Sequence, residues 1–212
     1  MRIGGFQKMT LTDYPGYIAS VIFTQGCNFR CTYCHNDELI PNRSGSIDEK
    51  EILDYLNGKK YFLDGVVITG GEPTIQKDLA QFIKKIKKMG LLVKLDTNGS
   101  NPDIVEELIN EKLVDCIAMD LKASWKNYSR LIHREGFENE CRRSFELLQR
   151  SPVSHIFRTT VFPTVNTEED LESIRAELLP SDKYVLQNLH ASDKFAHNVA
   201  RVFRPAIAGS AS

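Results

Sequence analysis

The stretch Ile18-Ala19-Ser20-Val21-Ile22-Phe23-Thr24, running directly into Gln25-Gly26-Cys27-Asn28-Phe29-Arg30-Cys31-Thr32-Tyr33-Cys34, joins a short apolar run to a loop carrying three cysteines within eight residues. An apolar run of this length, rich in Val, Ile and aromatic side chains, reads as a strand buried on both faces. Working outward, five further runs of the same kind occupy residues 66–69, 91–95, 114–119, 156–162 and 184–189. Between them lie segments of helical character at 48–57, 77–89, 102–110, 137–150 and 167–178, several opening with Asp, Asn-Pro or Thr-x-Glu-Glu signals suited to helix starts. The alternation predicts βα units around a mainly parallel sheet, and six such units fit either a partial (β/α)6 barrel or a doubly wound sheet.

The chain has 212 residues, 42% hydrophobic and 26% charged, which suits a globular protein and excludes disordered and fibrous classes. No internal repeat, low-complexity tract or long linker divides it, so residues 1–212 are expected to form a single domain. Residues 3–17, with Gly4-Gly5 and Pro15-Gly16, read as a turn-rich leader or hairpin, and residues 191–212 as a weakly ordered tail. Lys and Arg number 27 against 28 Asp and Glu, a formal charge of −1, so no overall basic field recruits nucleic acid or an anionic membrane. No apolar run approaches the ~20 residues of a bilayer span, and the first residues lack the apolar stretch of a secretory signal. A cytoplasmic location is expected.

In parallel βα architectures ligands sit outside the carboxyl ends of the strands. Those ends carry Gln25-Gly26-Cys27, Gly70-Gly71-Glu72-Pro73, Asp96-Thr97-Asn98-Gly99, Asp120-Leu121-Lys122, Pro163-Thr164 and His190. Cys27, Cys31 and Cys34 offer three soft thiolates on one tight loop, enough to hold three corners of a [4Fe–4S] cube and leave the fourth iron open. Two other readings stand beside it: a structural zinc site completed by His35, and three merely buried cysteines. Cys116 and Cys141, far off in sequence, are too few for a second cluster.

The spacing of Cys27, Cys31 and Cys34 resembles the cluster signature of radical S-adenosylmethionine (radical SAM) enzymes, and Gly70-Gly71-Glu72-Pro73 resembles their strand-end motif. Gly5-Phe6-Gln7-Lys8, Asp13-Tyr14-Pro15-Gly16, Cys34-His35-Asn36, Asp96-Thr97-Asn98-Gly99 and Asp120-Leu121-Lys122 narrow the resemblance to the enzymes that activate glycyl-radical proteins. Among these, the N-terminal stretch is most similar to the activators of anaerobic ribonucleoside-triphosphate reductase; pyruvate formate-lyase activators are also similar.

The resemblance implies a partial (β/α)6 barrel and a reaction in which S-adenosylmethionine, bound at the open iron, is split reductively to give a 5′-deoxyadenosyl radical. It assigns Gly70 and Gly71 to the methionyl amino group with Glu72 in support, Asp96 and Lys122 to the methionine part, and Tyr33 to the adenine. Arg158 faces the cofactor and His190 its ribose. Asp96, Thr97 and Asp120 frame a small monovalent cation. The residue-level alternatives are a plain turn for the glycines, an Asp–Lys ion pair, a salt bridge for Arg158, core packing for Tyr33 and a surface role for His190. The implied partners are a glycyl radical protein, whose glycine loses hydrogen, and a flavodoxin or ferredoxin that donates the electron. Radical chemistry on a small molecule is the alternative substrate class.

Overall fold

In the computed structural model, which describes residues 1–31, 33–161 and 166–188, the chain order is β1 (Ile3–Thr10), β2 (Ala19–Thr24), α1 (Glu49–Lys59), β3 (Gly65–Gly70), α2 (Leu79–Lys87), β4 (Leu92–Thr97), α3 (Pro102–Asn110), β5 (Cys116–Asp120), α4 (Tyr128–Ile132), α5 (Glu138–Arg150), β6 (Ser154–Val161), α6 (Glu168–Glu177) and β7 (Lys183–Asn188). The seven strands form one sheet in sequence order. β2 to β7 are parallel throughout. The expected partial (β/α)6 barrel of parallel strands is therefore present.

The stretch 3–17 supplies β1, which pairs antiparallel with the outer edge of β2, and a turn that sends Tyr14 into the sheet's inner face. There Tyr14, Val21, Val67 and Cys116 form a small apolar cluster. On the opposite face Ile22, Ile68, Leu95, Ile117 and Phe157 meet Ile52, Leu56, Phe82, Ile83, Val105 and Leu148 from the helices, the main core. Consecutive residues such as Val66, Val67 and Ile68 are all buried, because a parallel strand has apolar packing on both faces.

The helices begin where the sequence supplies acceptors for their free N–H groups. Asp48 accepts from Lys50 N at 2.9 Å, and Thr167 and Asp170 form a reciprocal capping box at α6. Pro102 opens α3, where no N–H is required. Lys84, Lys85 and Lys87 fill the last turn of α2, against its negative dipole end. Among the described residues no helix is long and apolar enough to cross a membrane.

Candidate functional site

All parallel strands deliver their carboxyl ends to one cavity of about 410 Å³, lined by Cys27, Cys31, Cys34, Tyr33, Gly70, Gly71, Glu72, Asp96, Thr97, Asp120, Lys122 and Arg158. Twelve of the thirteen residues expected at the site thus share one space. The thirteenth, His190, lies outside the described residues, as do Pro163 and Thr164.

The three cysteines owe their place on the cavity wall to backbone bonds at both ends of their loop. Gly26, at φ +101°, turns the chain out of β2. Gly26 N then donates to Leu39 O at 2.7 Å and Cys27 N to Ile40 O at 3.1 Å, while Cys34 N closes a turn onto Cys31 O at 3.1 Å. Phe29 is buried as the loop's anchor, edge-on to Phe137. Arg30 N donates to Ile132 O at 3.0 Å, and the Arg30 guanidinium caps the carbonyls of Cys27 and Phe29 at 3.0 and 2.9 Å.

Burial pushes the Cys27 thiol up to about 12 and Cys31 to about 11, and raises Cys34 as well. Metal binding to such thiols is coupled to the release of their protons. Among the described residues no group of three His, Cys, Asp or Glu is placed to hold a metal ion as it stands; three soft thiols lining one cavity are the donor chemistry of an iron–sulfur cluster. Cys116 and Cys141 are buried elsewhere. Cys116 sits in the small apolar cluster, and Cys141 Sγ donates to Asn98 O at 3.4 Å.

Gly70 and Gly71 are required by close approach. Gly70 lies at φ +108°, where a Cβ would stand 2.4 Å from Thr24 N; a Cβ on Gly71 would stand 2.1 Å from Gly26 O. The pair lets β3 lock onto the root of the cysteine loop, through Gly71 N to Thr24 O at 2.9 Å and Glu72 N to Gly26 O at 2.8 Å. Gly70→Ala is expected to lower stability by about 3 kcal/mol in urea unfolding, combining a left-handed backbone with overpacking. Gly58→Ala, in α1 with nothing within 4 Å of the added carbon, should instead stabilise by ~0.5–1 kcal/mol.

Glu72 is buried, and its carboxylate ties two strand ends together. It accepts from Thr74 N and Oγ1 at 3.1 and 2.6 Å, from Thr97 Oγ1 at 2.7 Å and from Asn98 N at 2.7 Å. Burial raises its pKa despite these four bonds. Asn98 Nδ2 continues the link to Asn28 in the cysteine loop at 3.0 Å.

Facing Glu72 is a chain of five charged groups from β4, β5 and β6. Lys94 Nζ bonds Asp96 Oδ1. Arg158 Nη1 reaches Asp96 Oδ2 at 3.1 Å and its Nε reaches Asp120 Oδ1 at 2.9 Å. Lys122 Nζ closes the series on Asp120 Oδ2 at 2.8 Å. Burial alone would raise Asp120, but Arg158 and Lys122 outweigh it and hold that carboxyl at about 2.

The salt bridge envisaged for Arg158 is thus made to both carboxylates. Around Asp96 and Asp120 stand three cationic groups, and the Thr97 hydroxyl is turned to Glu72, so the three residues expected to frame a small cation each have protein partners here. Sequence reasoning passed over Lys94. Its signal was a lysine inside the apolar run 91–95, two residues before Asp96 and so on the same strand face.

The family model described as the Radical SAM superfamily matches residues 21–176. A protein of Methanocaldococcus jannaschii, named provisionally as a glycyl-radical enzyme activating enzyme, is 33% identical over 211 residues, covering 96% of this chain and 86% of that protein. The pyruvate formate-lyase-activating enzyme of Clostridium pasteurianum is 35% identical over 127 residues, 57% of this chain and 52% of that enzyme, so the match spans about half its length. In fold, the chain is similar to Streptococcus suis SuiB bound to S-adenosylmethionine, with a TM-score of 0.62, 18% identity, and coverage of 82% of this chain and 41% of that one. The chain belongs to the radical SAM superfamily, and within it to the glycyl-radical enzyme activating enzymes, whose cofactors are a [4Fe–4S] cluster and S-adenosylmethionine.

Proposed function

We propose that this protein activates a partner enzyme by removing a hydrogen atom from the α-carbon of one glycine, the partner being an anaerobic ribonucleoside-triphosphate reductase. The observation that carries the reading is the opening of the three thiols, the Gly70-Gly71 turn and the Asp96–Arg158–Asp120–Lys122 groups onto one cavity. When bound, the cluster and S-adenosylmethionine supply one hydrogen-abstracting deoxyadenosyl radical for each electron received. A low-potential flavodoxin or ferredoxin provides that electron, in the cytoplasm.

The chain's own residues bind and orient. Cys27, Cys31 and Cys34 hold the cluster. Gly70 and Gly71, with Glu72 in support, border the place of the methionyl amino group, and Lys122 takes the methionyl carboxylate. Tyr33, buried beside Lys122 in the cavity wall, offers a flat apolar face to the adenine. Holding the reacting groups in place converts a bimolecular encounter into a unimolecular step. The identity of the M. jannaschii relative along nearly the whole chain supports a glycyl radical partner.

The test is to incubate the anaerobically reconstituted, reduced protein with S-adenosylmethionine and the reductase, and to record the electron paramagnetic resonance spectrum. A glycine-centred signal that depends on all components is expected. Turnover of a small molecule with no protein radical would overturn the proposal.

A further inference from the structure

A lysine with only 3% of its side chain exposed, inside the sheet's concave face, requires a reason. Lys94 stands opposite Val67 and Cys116 in the neighbouring strands, two members of the small apolar cluster. An ionised group there carries a heavy desolvation penalty unless it is paired. It is paired with Asp96, which Arg158 already serves from the other oxygen. Stability alone would be served as well by an apolar residue at position 94.

The charges explain it. In the order Lys94, Asp96, Arg158, Asp120, Lys122, every carboxylate oxygen has one cationic partner, and the two ends of the chain are cations. Three positive groups face two negative ones, leaving one surplus positive charge. The ends differ in access: Lys94 is sealed, whereas 14% of the Lys122 side chain is exposed and it borders the cavity.

Suppose Lys122 turns from Asp120 to a ligand carboxylate. The four groups left behind, Lys94, Asp96, Arg158 and Asp120, then sum to zero, and Lys122 with the ligand carboxylate also sums to zero. Without Lys94, the same movement would leave two carboxylates sharing one guanidinium, a buried net charge of −1.

The geometry points to Lys94 as a positioning residue for S-adenosylmethionine: the sealed end of an ion-pair chain that frees Lys122 to take a carboxylate. The ligand feature it selects is that carboxylate, not the ammonium or the adenine. This inference rests on the placement of the methionyl carboxylate at Lys122 proposed above.

The experiment measures dissociation constants by titration calorimetry on the anaerobic cluster-loaded protein, with S-adenosylmethionine and with its decarboxylated analogue. Lys94→Met is expected to weaken binding of S-adenosylmethionine at least tenfold and to change binding of the analogue less than twofold. Lys94→Gln keeps a hydrogen bond to Asp96 without the charge; it should show the same selective loss, and it serves if the methionine variant does not fold. Lys122→Met separates the two readings. If it loses no carboxylate selectivity, the placement at Lys122 fails and the role of Lys94 falls with it. If Lys122→Met loses selectivity while both Lys94 variants bind like wild type, or weaken for both ligands equally, the inference about Lys94 alone is overturned.

Discussion

Alanine at Cys27, Cys31 or Cys34 is expected to reduce iron after anaerobic reconstitution from about four per chain to background and to abolish cleavage of S-adenosylmethionine. Alanine at Cys116 or Cys141 should leave both intact. The contrast follows from position. The first three thiols line the cavity, while Cys116 belongs to the apolar cluster on the sheet's inner face and Cys141 packs on the turn after β4. Losing one of three ligands leaves two thiolates on a loop of eight residues, too few to retain a cube. Losing Cys116 or Cys141 removes one sulfur from a packed interior, at ~1–2 kcal/mol. Iron analysis and visible absorption of all five variants check this. Iron retained by any of the first three variants, or lost by either of the others, would show that the cavity's thiols are misassigned.

Arg158→Met should produce the largest loss of stability among single substitutions of the charged chain, about 3 kcal/mol in denaturant unfolding of the cofactor-free protein. Removing one member of a buried pair costs ~3–5 kcal/mol, because the partner is left uncompensated. The lower figure applies because Asp96 keeps Lys94 and Asp120 keeps Lys122. Arg158→Lys should cost less, but not nothing, since a single ammonium cannot reach both carboxylates with the planar fork that spans them. Equal stability of wild type and Arg158→Met would mean that the bridge between β4, β5 and β6 contributes no more than a surface pair, ~0–1 kcal/mol.

Much of this arrangement is legible in the sequence, for physical reasons that differ by residue. The run Val66-Val67-Ile68 announces its strand because both of its faces are buried. Its carboxyl end announces chemistry because glycines and a glutamate follow at once. α3 begins at Pro102, where proline is tolerated and where the sequence placed it. α4 escaped because five residues cannot display a helical period. β1 was legible only as part of a turn-rich leader or hairpin, because Gly4 and Gly5 read as turn residues, although there they admit Leu39, Gln25 and Phe23 close to the backbone.

The ion-pair chain was half visible. Asp120 and Lys122 lie two residues apart, but Arg158 comes 38 residues after Asp120 and 62 after Asp96, and only the parallel register of β5 with β6 sets it opposite. Lys94 was hidden by its company, since one lysine among leucines and valine reads as an interruption of an apolar run, not as the ion-pair partner of Asp96.

The backbone bonds that fasten the cysteine loop at Gly26, Cys27 and Cys34 bear on how the protein matures. Small zinc domains remain unfolded until metal arrives, since nothing else closes their loops. Here main-chain hydrogen bonds and the buried Phe29 hold the loop through contacts that involve no thiolate, so its closure is expected not to depend on metal alone. Chelation or air oxidation should therefore strip activity while leaving the melting transition in place, and cycles of damage and repair can proceed without passing through the denatured state.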